Sequence, residues 1–105
     1  MKNLLVFLIF TTVLITACSK DSLTGSSYTP TCDGSVKSYQ SNVAPLIQTY
    51  CSGCHSNYST YANLSASKNS VRNKIVSGNM PRGSALSTSQ KDAIVCWIDN
   101  GAPNN

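Results

Sequence analysis

Two cysteines and a histidine stand together at Cys51-Ser52-Gly53-Cys54-His55. Thiols three positions apart lie about one helical turn from each other, the spacing at which both add to the two vinyl groups along one edge of a porphyrin. A histidine directly after the second cysteine comes up beneath the iron and offers a ring nitrogen. The pentapeptide is therefore the attachment signature of haem c. Cys51 and Cys54 are its thioether donors and His55 is an iron ligand. His55 is the only histidine in the 105 residues, so imidazole ligation has no other source.

An iron held by one histidine has a second axial position. A methionine thioether there raises the reduction potential and closes the iron to small ligands. Besides Met1, the only methionine is Met80, within Gly78-Asn79-Met80-Pro81-Arg82-Gly83. Pro81 biases Met80 toward extended backbone, and the flanking glycines let the chain run close to a flat ligand. The bland alternative is a core-filling methionine, but polar, turn-forming neighbours fit that role poorly. Met80 is thus the expected sixth ligand.

These residues need helices to position them. Ser41 or Asn42 is expected to cap a first helix, with Pro45 in its first turn and Leu46, Ile47 and Tyr50 facing inward, so that it delivers Cys51 at its end. Tyr61 to Leu64 reads as a short helical turn. Ser70 to Ser77 reads as a helix stopped by Gly78. Ser87-Thr88-Ser89-Gln90 matches a capping box and opens a helix carrying Ala93, Ile94, Cys96, Trp97 and Ile98 at helical spacing, closed by Gly101 and Pro103. Trp97 is expected to pack against the first helix. Nothing alternates with the two-residue period of a strand, so the predicted fold is all-α, about three to four helices around a covalently bound haem.

The beginning of the chain reads as an address. Met1-Lys2-Asn3 is basic, and Leu4 to Ile15 is an apolar run too short to span a bilayer, which takes about 20 residues. Leu14-Ile15-Thr16-Ala17-Cys18 resembles a bacterial lipobox, which implies a signal peptide over 1–17 and a lipidated Cys18. The alternative is an ordinary export signal with Cys18 as a spare thiol. Residues 18–31 then form a lipidated tether rich in Ser, Thr and Gly, with an average reach of about 20 Å and only Leu23 and Tyr28 able to anchor it. Residues 32–105 form the domain. The expected location is outside the cytoplasm, on a bacterial membrane facing the periplasm, with outer membrane or cell surface also open.

Charge narrows the partners. Eight basic residues against four aspartates give +4 for the whole chain, far from the polybasic pattern of a nucleic-acid binder. Lys68, Arg72, Lys74 and Arg82 crowd one stretch and read either as a docking patch for an acidic redox protein or as a solvated face. There is no glutamate and no second histidine, so no acid–base pair for catalysis is in view and the protein is not expected to be an enzyme.

The segments Cys51 to His55, Ile75-Val76-Ser77-Gly78-Asn79-Met80-Pro81, Leu86-Ser87 and Ile94 to Pro103 resemble the small class I cytochrome c domains of bacterial lipoproteins, over a match from about Val36 to Asn105. The resemblance implies a membrane-anchored monohaem electron carrier. Its haem iron lies between His55 and Met80, and the helices bearing Tyr50 and Trp97 cross beside the haem edge. It implies donor and acceptor redox proteins as partners, among them a membrane respiratory complex, with the lipid membrane itself held through Cys18. One departure is that only 25 positions separate His55 from Met80, short for many such domains, which implies a more exposed haem and a lower potential.

Of five cysteines, Cys32 and Cys96 remain once Cys18, Cys51 and Cys54 are assigned. In an oxidising compartment they form a disulfide or stay as two buried thiols. Two other functions are open: a haem protein with an empty sixth site, and a zinc or dithiol module using Cys32, Cys51, Cys54 and Cys96.

Overall fold

The first helical segment begins at Ser38, earlier than local capping signals place it. Its hydroxyl accepts from the Ser41 amide at 3.2 Å, while Asn42 Oδ1 accepts from the Ser38 amide at 2.9 Å. Asn42 thus completes the cap instead of starting the helix. Asn105 supplies what the local sequence cannot show. Its side-chain oxygen accepts from the Tyr39 amide at 2.9 Å, and its backbone oxygen accepts from the Gln40 amide at 3.0 Å and the Ser38 hydroxyl at 2.8 Å. These bonds satisfy amides that a helix N-terminus leaves without partners.

The computed structural model describes residues 28–83 and 85–105. The signal peptide and Cys18 lipid anchor expected from the sequence, and most of the expected tether, lie outside the described residues. A wide π-type turn at Tyr39–Val43 runs into helix α1, Ala44–Tyr50, with Pro45 in its first turn as expected. A 3₁₀ turn at Ser56–Ser59 follows, then α2, Tyr61–Ala66, α3, Lys68–Val76, and α4, Thr88–Asp99. Among the described residues there is no strand and no helix long and apolar enough to cross a membrane. The fold is all-α.

Helix ends follow local chemistry where that chemistry is strong. Ser87 and Gln90 form both halves of the capping box, at 3.2 and 2.9 Å. Gly78 at φ +75° and Gly101 at φ +93° take the left-handed backbone that ends α3 and α4. α3 starts two residues before the expected Ser70, because α2 and α3 meet at Ser67 with only a bend between them.

Trp97 is fully buried at the centre of the core, among Val43, Ile47, Leu64, Ile75, Ile94 and Val95. Its ring meets Tyr39 at 5.7 Å and Tyr61 at 6.4 Å, and its indole N–H donates to the Pro103 carbonyl at 2.9 Å. A buried indole needs such an acceptor. Trp97 therefore packs on the turn that leads into α1 and on α2.

The start of the described chain is strapped to α4. Cys32 and Cys96 form a disulfide with Cα atoms 5.6 Å apart. Asp92 accepts from the Tyr28 hydroxyl at 2.5 Å and from the Thr31 amide at 3.0 Å, and Lys91 Nζ sits 5.1 Å from the Tyr28 ring centre. Burial first, and Asp92 second, push the Tyr28 phenol above its ordinary range. Tyr28 is the anchor its side chain suggests.

Candidate functional site

α1 ends where the cysteine motif begins. The amides of Cys51 and Ser52 both bond to the Ile47 carbonyl at 2.9 Å, and the His55 amide returns to the Cys51 carbonyl at 2.8 Å. The motif is therefore one turn continuing from the helix, which puts Cys51, Cys54 and His55 on one side of the chain.

α3 provides the facing wall. Ser70, Val71, Lys74 and Ile75 recur at helical spacing and share one face, with Val71 and Ile75 buried. After Gly78 the chain folds back, and the Met80 amide donates to the Lys74 carbonyl at 3.1 Å. This bond returns Met80, Pro81 and Arg82 to the end of α3 as a third wall.

Between these walls lies a cleft of about 380 Å³, whose motif side is Tyr50, Cys51, Cys54, His55 and Tyr58. The volume falls within the range of small-molecule and cofactor sites. Cys51, Cys54, His55 and Met80, which the sequence placed in one site, line this one cleft.

The states of the four differ. Cys51 is a half-buried free thiol, and burial pushes its pKa up. The Cys54 sulfur is exposed and engaged in a disulfide. His55 and Met80 are half-buried. Among the described residues the His55 ring nitrogens make no hydrogen bond, so both remain available to a ligand.

The electrostatics are one-sided. Lys74 and Arg82 line the cleft, and among the described residues neither has an ion-pair partner. The three described aspartates are committed elsewhere: Asp33 to Ser35, Asp92 to Tyr28 and Thr31, and Asp99 to Arg72. The Arg72 guanidinium grips Asp99 through two bonds at 2.5 and 2.9 Å and holds that carboxyl below its usual range. The basic stretch seen in the sequence is thus divided. Arg72 turns to α4, while Lys74 and Arg82 stay with the cleft.

A planar apolar group carrying two carboxylates fits this lining. Val71, Ile75 and Pro81 supply apolar wall, the cysteines one edge, His55 and Met80 a nitrogen and a sulfur, and the two free cations a match for anionic substituents. A four-thiolate site is not assembled. Cys32 and Cys96 are spent on each other, and among the described residues no three of His, Cys, Asp and Glu converge. Tyr58 was not foreseen from the sequence; its signal was its position three residues after His55. Comparison of the chain with protein-family models, with curated proteins and with solved structures finds no match.

Proposed function

We propose that this chain is a monohaem c-type cytochrome of the class I kind, a carrier of single electrons and not an enzyme. The observation that supports the reading most directly is the convergence of Cys51, Cys54, His55 and Met80 on one apolar cleft. When bound, the haem supplies a one-electron ferric/ferrous couple. The chain's own work is to hold and enclose it. Cys51 and Cys54 would hold one edge of it as thioethers, Cys54 after an external dithiol has reduced its disulfide. His55 offers a ring nitrogen and Met80 a thioether, a pairing that favours the reduced metal. Val71, Ile75 and Pro81 keep water from the cleft, and Lys74 and Arg82 meet the propionates or an acidic partner.

No carboxylate lines the cleft among the described residues. The partners in this reading are a donor and an acceptor redox protein, with the lipid on Cys18 holding the carrier at a membrane outside the cytoplasm. The deciding experiment is an optical spectrum of the full chain made in cells that mature c-type cytochromes. Reduced haem bands that survive acid–acetone extraction, with a weak long-wavelength ferric band from sulfur, are the expected result. Covalent haem without that band takes Met80 off the iron and makes an open sixth site the better reading. Absence of haem refutes the proposal.

A further inference from the structure

Tyr58 follows His55 by three residues in the 3₁₀ turn at Ser56–Ser59. His55 stands at the N-cap of that turn, on non-helical backbone. The turn closes on the histidine itself, since the Tyr58 amide donates to the His55 carbonyl at 2.9 Å. The result is a parallel stack of the two rings, with centroids 5.0 Å apart and planes inclined by 20°. Tyr58 is half-buried, lines the cleft beside His55 and packs against the hydrophobic core.

No hydrogen bond from a described residue orients the imidazole. Its ring nitrogens have no hydrogen-bond partner among the described residues, so the bond that commonly fixes a metal-ligating histidine is missing here. A stacked ring can replace it. The nitrogens of imidazole point outward within the ring plane, so a partner lying on the ring face restrains the plane and leaves both nitrogens free.

We infer that Tyr58 is the positioning residue for His55: its flat face sets the plane in which the imidazole meets the iron. This rests on the haem reading above and deepens it. Ring direction about the iron–nitrogen bond governs the asymmetry of the ligand field, so Tyr58 acts on the electronic structure of the centre through His55. Tyr58 meets His55 through the face of its ring, so that face is the operative feature.

The test uses full-length matured protein carrying Tyr58→Phe, Tyr58→Trp or Tyr58→Leu, read by ferric electron paramagnetic resonance and by reduction potential. Phe and Trp keep a flat face and are expected to reproduce the wild-type g values and potential. Leu keeps apolar bulk without the face, and is expected to shift and broaden the g values and lower the potential. A Leu variant with wild-type g values overturns the positioning role, because simple space-filling then suffices. Should the Leu variant not accumulate, displaced g values in the Phe variant overturn it as well. A wild-type chain without covalent haem overturns the ligand role together with the reading beneath it. Haem present with unmoved g values overturns the positioning role alone.

Discussion

The Met80 amide donates to the Lys74 carbonyl at 3.1 Å, which ties the loop carrying the thioether to the helix carrying a cleft cation. The backbone, and not the Met80 side chain, holds this loop in place. Met80→Ala should therefore leave the loop standing and remove only the sulfur. The expected outcome is a lower reduction potential and ready binding of carbon monoxide by the ferrous protein. Redox titration and carbon monoxide difference spectra check it, and unchanged values in both would take Met80 off the iron.

Burial of the Tyr28 phenol, and after it the hydrogen bond to Asp92, should make stability fall at alkaline pH. The Tyr28 phenol is raised above its unfolded value of 10.0. A group raised in the folded state stabilises the fold fully below its unfolded pKa and loses that contribution as pH rises through the folded one. Denaturant midpoints of the wild type should fall as pH rises above about 10, and Tyr28→Phe should show a shallower decline over that range. Equal slopes in the two proteins would remove Tyr28 from the account.

Cys32→Ser opens the disulfide at its exposed end, leaving Cys96 buried in α4. With the two cysteines 64 positions apart in sequence, the loss is about 4 kcal/mol on the chain-entropy account. Equilibrium denaturation measures it. A loss well below that figure would mean that Tyr28 and Thr31 hold the strap without the covalent bond.

Lys74→Gln with Arg82→Gln removes the two cleft cations that lack partners among the described residues. Electron exchange with a small anionic oxidant such as ferricyanide should slow several-fold at low salt and lose most of its dependence on ionic strength. Stopped-flow rates over a salt series decide this. Salt dependence that persists in the double variant would place the steering charge elsewhere.

The features legible in the sequence were those whose physics is local. Ser87 and Gln90 lie three residues apart and cap α4 as their types predict, and Gly78 and Gly101 end helices for want of a Cβ. The cysteine motif and Met80 were legible as chemistry, and the fold brings them to one cleft. What escaped depends on distant partners. Ser38 caps the first helical segment with the help of Asn105, 67 residues away. Arg72 leaves the basic stretch because Asp99 waits on another helix. Tyr58 was overlooked because a 3₁₀ turn carries no amphipathic period to read, and its stack on His55 depends on the non-helical backbone of His55 at the cap.

The strap over Tyr28 to Cys32 also decides where a mechanical load enters the molecule. It is bound to α4 by a covalent bond at Cys96 and by polar bonds at Asp92, and no residue of the strap or of α4 lines the cleft. A pull on Tyr28 to Cys32 is borne by the middle of α4. Residues of α3 and the Met80 loop that wall the cleft are not part of the strap or of α4. A load on the strap therefore reaches α4 before it reaches these two walls.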